Sequence, residues 1–389
     1  MNLRRRPHVA LLIETSLASG RDILRGIARY VREHEPWALY HEAHSLTDAL
    51  PRWLSRWKGD GIIARIQTPE MARALAKSAI PVVDVLGVVA ESRFPLVHVD
   101  DEAIARLAAE HLRERGLENF GFFGIRSENW SERRYAAFCR AVAPACVAMY
   151  ELPRDGAGKR SWERVENRLA RWIAALPRPA GVLVCSDQRG SQLLEACRRA
   201  GVAVPDDVSV IGVDDDQPLC EVCSPPLSSV QPGHARVGYE AARVMDRLLG
   251  GGAVSREPIL LPPEGIVSRL STDSLAIADR AIVVALRLIR EQAHVGLTVE
   301  GLARHAGVSR SVLQRRFRSV LRCSIHQAIL SAKIKQAREL LTRSNLPLAI
   351  VAERSGFKHQ EYMGVVFKAR LGTTPARLRR DSGPSRTQR

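Results

Sequence analysis

The carboxyl-terminal third of the chain is organised around residues 297–317, LTVEGLARHAGVSRSVLQRRF. Thr298 can cap a helix predicted over 299–306, and Gly307 permits the positive φ of a tight turn. Ser309 can cap the helix that follows, and apolar residues recur at helical spacing on both sides of the turn. The stretch therefore predicts two short helices joined by a turn, which is a helix-turn-helix unit.

A second stretch repeats this plan over residues 347–375, PLAIVAERSGFKHQEYMGVVFKARLGTTP. A short helix is predicted over 348–354, the turn contains Gly356, and a longer helix is predicted over 359–371. A long helix, predicted over 324–343, connects the two units. The segment is thus predicted to hold two helix-turn-helix units in tandem.

The positive charge of the chain is concentrated in this segment. From Ala276 to the end there are 22 lysines and arginines against 7 acids, a net +15 of the chain's +16. A basic module attached to a neutral one indicates a polyanion as partner, with double-stranded DNA first. A solubilising tail would lack the apolar periodicity seen here, and a purely protein-binding helical domain would not need the charge.

The second helix of each unit is the candidate DNA-recognition helix. Polar and basic side chains that can fork onto base edges or contact phosphates should face outward there. In the first unit these are Arg310, Ser311, Gln314, Arg315 and Arg318. In the second unit they are Lys358, His359 and Gln360, with Glu361 and Gly364, while Tyr362, Val366 and Phe367 are predicted to face inward.

The remainder of the chain alternates short apolar runs with helical patterns. One set begins at 8–13, HVALLI, and the pattern restarts at 119–124, NFGFFG. Such alternation predicts parallel sheets covered by helices on both faces. The fold class expected for this part is therefore a two-lobed α/β domain, followed by an all-α tandem helix-turn-helix domain.

Ligands of parallel α/β sheets bind beyond the carboxyl ends of the strands. The polar residues that follow the predicted strands are at 14–16, which includes Ser16, at 126–134, at Asp187 and at 214–216. Carboxylates, arginine and nearby aromatic rings such as Trp130 suit a polyhydroxylated ligand. An equally open alternative is that Asp187 and Asp214 are only caps at strand ends.

Several blocks in 186–242 resemble the effector domain of LacI-type repressors. They are Ser186-Asp187, Val204-Pro205, 210–215 (VIGVDD), 226–230 (PLSSV) and Gly238-Tyr239. The resemblance implies a periplasmic-binding-protein-like fold that binds a sugar between two lobes. It would put sugar contacts on Arg134, Asp187 and Asp214, with Trp130 and Ser16 as further candidates. Asp187 departs from the asparagine that is common there, and this leaves the particular sugar open.

Residues 297–380 resemble the AraC/XylS-type DNA-binding domain. The resemblance rests on Gly356-Phe357, Phe367-Lys368, Gly372 and Thr374-Pro375, and it implies that the two recognition helices of a subunit enter successive major grooves, ~34 Å apart. Val365 stands where a polar residue is common. The second helix is therefore expected to recognise fewer bases and to depend more on phosphates.

The order of the two domains resembles that of the xylose-operon regulators of enteric bacteria. It implies a sugar-responsive transcription factor, D-xylose as the first candidate effector, a homodimer, and RNA polymerase as partner if the protein activates. The expected organisation is a sensor over 1–270, with lobes at about 1–115 and 116–250 and a crossover, a linker over 271–280, a DNA-binding domain over 281–381 and a disordered tail over 382–389.

Other classes are disfavoured by what the sequence lacks. Cys220 and Cys223 form a lone C-x-x-C without a second pair, so no metal or cofactor is expected, and the seven cysteines are expected to be reduced thiols in a cytoplasmic protein. No run approaches the ~20 apolar residues of a membrane span. A sugar-modifying enzyme would need a catalytic constellation, and the sequence contains no such motif. A sensor for another sugar or for a protein partner stays open.

Overall fold

The computed structural model describes residues 6–34, 36–42, 51–78, 80–89, 92–126, 128–152, 162–255, 257–273, 279–321, 323–344 and 346–382. The chain divides into two compact units, Met1–Ala276 and Ile277–Arg389. The first is a mixed α/β unit and the second is helical, which confirms the predicted fold class. No described helix is both long enough and apolar enough to cross a membrane.

Parallel sheets form the framework of the first unit. One sheet has the strand order β2-β1-β3-β4, a larger sheet has the order β12-β10-β9-β8-β6-β7, and β11 pairs with β5. All these pairings are parallel except that of β12 with β10. The strands are β1 His8–Leu12, β2 Ala38–His41, β3 Gly61–Ala64, β4 Val82–Asp84, β5 Val97–Val99, β6 Asn119–Ile125, β7 Val147–Leu152, β8 Ala180–Val184, β9 Val208–Val213, β10 Ser228–Gln231, β11 Ile259–Leu261 and β12 Gly265–Val267.

Helices cover these sheets and make up the second unit. In the first unit they are α1 Ala18–Glu33, α2 Pro69–Ala76, α3 Asp101–Arg113, α4 Asn129–Val142, α5 Trp162–Ala174, α6 Asp187–Ala200, α7 Gln217–Val222 and α8 His234–Leu249. In the second they are α9 Arg280–Gln292, α10 Val299–His305, α11 Arg310–Leu321, α12 Ile325–Arg343, α13 Leu348–Arg354, α14 Gln360–Leu371 and α15 Pro375–Ser382. Short 3₁₀ turns occur at Arg52–Arg56, Leu270–Thr272 and Ala293–Val295.

The chain changes lobes earlier than the boundary predicted at 115/116. Helix α3 packs against α4 and β8 of the larger sheet, so the chain enters the second lobe at Asp100. It returns after β10, because α8 packs against α1 and β3, and it crosses again after β11, because β12 pairs with β10. The sequence around Asp100 indicates only a helix cap, and a cap does not reveal which sheet its helix covers.

Two glycines let α1 and α8 touch. A Cβ on Gly26 would lie 1.9 Å from the carbonyl oxygen of Ala235, and a Cβ on Gly238 would lie 2.0 Å from that of Ile23. Neither position can hold a larger residue at this helix spacing. Through this close approach, α8 packs tightly against α1 of the first lobe.

The end of the first unit also differs from the predicted linker. Ser271 and Thr272 are fully buried, and Thr272 Oγ1 lies 2.9 Å from His111 Nε2 and donates to Ser228 Oγ. These residues therefore belong to the first unit, and α9 begins the second at Arg280. The other linker residues at 274–278, and 383–389 of the predicted tail, lie outside the described residues.

The second unit has two small cores joined by α12. One core packs α9, α10 and α11 around Leu302, Leu313 and Phe317. The other packs α13 and α14 around Met363 and Phe367. Helix α12 contributes side chains to both cores. This is the tandem arrangement that the two sequence stretches predict.

Candidate ligand cavity and DNA interface

A cavity of about 410 Å³ lies in the first unit at the carboxyl ends of strands from both lobes. Its size is within the range of small-molecule sites. Its lining combines apolar side chains with carboxylates and arginines. The lining residues are Leu17, Ala18, Ser19, Arg65, Gln67, Leu86, Val88, His98, Ile125, Glu128, Trp130, Arg134, Ser186, Asp187, Gln188, Arg189, Asp214, Asp216, Leu219 and His234.

Arg134 is held rigidly at the wall of this cavity. It is only 4% exposed, its Nε donates to Asp101 Oδ1 at 2.9 Å, and its Nη1 donates to the carbonyl of Cys185 at 2.6 Å. The guanidinium also lies over the ring of Trp130, 5.1 Å from the centroid. A guanidinium fixed by two hydrogen bonds and a ring face presents its remaining donors in one orientation.

Asp187 and Asp214 lie close together in the wall of the cavity. Asp187 Oδ1 accepts from Ser229 Oγ at 2.6 Å, and its Oδ2 accepts from the backbone N–H of Asp216 at 2.8 Å. Burial, followed by the nearby charge of Asp214, raises the pKa of Asp187 well above its usual value. Asp214 adopts φ 115°, and its Oδ1 lies 3.2 Å from His234 Nε2.

Helix capping does not account for these two carboxylates. Ser186 is the N-cap residue of α6, and both oxygens of Asp187 bond to residues outside that helix. Asp216 rather than Asp214 is the N-cap residue of α7. The side chains are therefore positioned by contacts between strand ends, at the place where a ligand of such a sheet lies.

Two further predicted residues differ in their relation to the cavity. Trp130 lines it, and its Nε1 donates to Glu128 Oε2 at 3.0 Å. Ser16 is exposed and is not a lining residue, although it follows β1 as predicted. Helix α1 begins at Ala18, so Ser19 in its first turn reaches the cavity instead.

The first lobe contributes polar groups that the sequence analysis missed, and the most constrained of them are Arg65 and His98. Arg65, directly after β3, forms an ion pair with the fully buried Glu14, and its Nη1 donates to Ser19 Oγ at 3.1 Å. His98, within β5, is 5% exposed, and neither ring nitrogen has a hydrogen-bond partner among the described residues. Burial lowers the pKa of His98 to about 3, so its imidazole is neutral. A polar residue after a strand signals Arg65, whereas no positional signal identifies His98.

In the second unit, all the predicted DNA-contact residues of α11 face outward. Arg310, Ser311, Gln314, Arg315 and Arg318 are exposed. Arg310 pairs with Glu300 at 2.5 Å, whereas Arg315 and Arg318 have no side-chain partner among the described residues. The unpaired guanidiniums leave α11 with donors for base edges or phosphates.

Helix α14 presents a more apolar surface. Lys358, His359 and Gln360 are exposed as predicted. Tyr362 was predicted to face inward and is instead 55% exposed, and Val365 is 65% exposed. The prediction for Tyr362 was wrong because Met363, Val366 and Phe367 already fill the inner face.

Family models match three consecutive parts of the chain. A XylR N-terminal domain matches residues 8–101, a periplasmic binding protein-like domain matches 109–272, and a helix-turn-helix domain matches 302–381. The first match ends at residue 101, next to Asp100, where the chain enters the second lobe, and the second match begins at residue 109.

Curated relatives and a solved structure match nearly the whole chain. A xylose operon regulatory protein of Escherichia coli is 31% identical over 386 residues, 96% of this chain and 97% of the relative. That of Haemophilus influenzae is 30% identical over 381 residues, 95% and 97% of the two chains. A structure described as a xylose-binding transcription activator is 28% identical, with a TM-score of 0.83 over 98% of this chain and 100% of the other. The chain therefore belongs to the family of xylose operon regulatory proteins, which are transcription regulators and not enzymes.

Proposed function

We propose that the first unit binds a pentose sugar in the cavity between its lobes, with D-xylose as the first candidate, and that binding controls how the second unit engages DNA. The observation that carries the proposal is the cavity itself. It joins a fixed guanidinium, the buried carboxylate of Asp187, the half-buried carboxylate of Asp214 and an indole face at the strand ends of both lobes. The names of the full-length relatives and of the similar structure support the choice of sugar.

Each group has a distinct part in holding a polyhydroxylated ligand. Arg134 donates to hydroxyl oxygens, while Asp187 and Asp214 accept from neighbouring hydroxyls. Trp130 packs on the C–H face of the ring, and the neutral imidazole of His98 offers one donor and one acceptor from the other lobe. A buried site of this kind rejects a ligand that lacks a matching hydroxyl, because its polar groups would be left unpaired.

The regulatory step is a shift between conformations of the sensor. A sugar that contacts residues of both lobes favours the closed arrangement, and the shift equals its difference in affinity for the two arrangements. In a homodimer this change would reposition the basic modules, so that α11 and α14 of each subunit enter successive major grooves. We further propose that the protein works in the cytoplasm, where its DNA is, and that it activates transcription through RNA polymerase.

Titration calorimetry of the full chain with D-xylose, L-arabinose, D-ribose and D-glucose tests the ligand. Arg134→Lys keeps the positive charge but loses the planar, forked N–H donors of the guanidinium. It should weaken D-xylose binding about 10-fold or more, since a hydrogen bond to a charged group contributes ~1.5–3 kcal/mol. Arg133→Lys is the matched control. Arg133 also binds Asp101, at 2.9 Å, but it is 41% exposed and does not line the cavity.

The outcomes separate the ligand from the site. Binding of another pentose in place of D-xylose would change the effector and leave the site standing. Equal losses in the two lysine variants, or none in Arg134→Lys, would remove Arg134 from the site. Anisotropy of labelled operator DNA with and without the bound sugar then tests regulation, and identical affinities would contradict a sensor role.

A further inference from the structure

The two recognition helices align residue for residue, and the alignment exposes a difference between them. Leu313 and Phe317 are fully buried in α11, and Met363 and Phe367 occupy the same places in α14. Both helices also follow a turn with a glycine at positive φ. Because the buried positions fix how each helix is rotated, residues at equal distances from them face the same way.

Directly after the first buried position of each helix this alignment pairs unlike residues. Gln314 and Arg315 of α11 correspond to Gly364 and Val365 of α14. A glutamine and an arginine can hydrogen-bond to base edges in the major groove, whereas Gly364 and Val365 have no side-chain donor or acceptor. Val365 is nevertheless 65% exposed. The recognition chemistry of the two helices therefore differs in kind.

Gly364 has no explanation within the protein itself. It lies inside α14, where glycine is less favourable than alanine. A Cβ built on it meets no atom within 4 Å, so packing does not require glycine there. Glycine also occurs where a backbone must approach a partner closely. The open space at Gly364 is on the exposed side of a helix in a unit of net +15, which points to DNA as that partner.

We propose that α14 comes close to the floor of the major groove at Gly364 and recognises thymine through its C5-methyl group, which packs on the γ-methyl groups of Val365. Thymine is the base that presents a methyl group in this groove, and apolar side chains are its partners. Basic residues at Lys358, Lys368 and Arg370 are exposed on the same helix or its turn and can contact phosphates. Helix α11 recognises bases by hydrogen bonds, and α14 recognises them by shape and methyl contact.

The inference rests on the proposal that both helices enter DNA, and one experiment separates the two. The preferred duplex is selected from a random pool with the full chain and sugar, and each thymine is replaced in turn by deoxyuridine, which lacks only the methyl group. At one or two thymines of one half-site the replacement should weaken binding about fourfold, the equivalent of one buried methyl group. In Val365→Ala the same replacement should change affinity less than twofold.

Two more variants complete the design. Gly364→Ala should weaken binding of the selected duplex at least tenfold while its thermal midpoint stays the same or rises, because alanine favours the helix. Val320→Ala removes an exposed valine from α11 and should leave the deoxyuridine effect unchanged. A selected duplex with no methyl-sensitive thymine, an undiminished deoxyuridine effect in Val365→Ala, or full affinity in Gly364→Ala would each overturn the inference. Failure to select any preferred duplex would overturn the DNA proposal with it.

Discussion

Replacement of Arg315 by alanine tests whether α11 recognises bases or only phosphates. The side chain is exposed and has no partner among the described residues, so its removal should change the free energy of unfolding by less than ~0.5 kcal/mol. If the guanidinium forks onto a guanine, removing it should weaken binding of the specific site by ~1–3 kcal/mol, or about 5- to 140-fold. Binding of random duplex should fall much less.

Arg316→Ala is the control for charge alone. It removes the same charge one residue further along α11, and Arg316 is paired with Asp279 at 3.3 Å. Anisotropy titrations of both duplexes at several salt concentrations measure the affinities and the number of phosphates that the protein neutralises. If Arg315 binds a phosphate instead of a base, Arg315→Ala would reduce the slope of log K against log salt by ~0.9 and weaken both duplexes equally. That result would refute base recognition by Arg315.

Two other predictions concern stability. Gly307→Ala should lower the free energy of unfolding by ~1–2 kcal/mol, because of the positive φ alone. Gly356→Ala should lower it by ~1–3 kcal/mol more, because its Cβ would lie 2.6 Å from His294 Cα. Chemical unfolding followed by circular dichroism measures both losses, and equal losses would contradict the packing argument. Burial lowers the pKa of His98 to about 3, so between pH 6.5 and 3 the unfolded state binds the additional proton and stability falls with falling pH. His98→Gln should remove up to ~1.4 kcal/mol per pH unit of that slope. Burial also lowers the pKa of His111 to about 4, so His111 keeps its own contribution to the slope in this variant. An unchanged slope in urea unfolding between pH 7 and 5 would count against a neutral buried His98.

The fold was largely predictable because its signals are local and repeated. Apolar runs alternating with helical patterns predicted the parallel sheets, and the paired turn glycines predicted both helix-turn-helix units. The lobe boundary was not predictable from Asp100. A helix cap forms in the same way whichever sheet the helix then covers, and that choice depends on long-range packing between α3 and β8.

The polar lining of the cavity was predictable on one lobe and less so on the other. Arg134, Asp187 and Asp214 line the cavity, and the resemblance to sugar-responsive repressors indicated them. Arg65 directly follows a strand, so the rule that polar residues after strands contact the ligand applied to Arg65 as well. His98 lies inside β5, where all three residues are buried. Burial within a strand does not reveal that the ring of His98 lines a cavity between the lobes.

The rotation of α14 was ambiguous for a different reason. Tyr362, Met363, Val365, Val366 and Phe367 are all apolar or aromatic and spread around the helix. Periodicity identifies a buried face only when the opposite face is polar. Tertiary packing therefore selects the buried residues here, and Val365, which is left outside, is the residue on which the inferred thymine recognition depends.

The position of Arg134 also explains how a ligand could act on the crossing between lobes. Its Nε binds Asp101 in the first turn of α3, directly after the chain enters the second lobe, and its Nη1 binds Cys185 at the end of β8. A sugar that binds this guanidinium is therefore connected, through Asp101, to the segment that joins the lobes. His98 lies on the same segment, before the chain enters the second lobe, and also lines the cavity. Coupling between sites typically amounts to ~1–3 kcal/mol, similar to a single charged hydrogen bond. A hydroxyl that bonds to Arg134 only in the closed arrangement would therefore supply a coupling free energy of the size that the proposed shift needs.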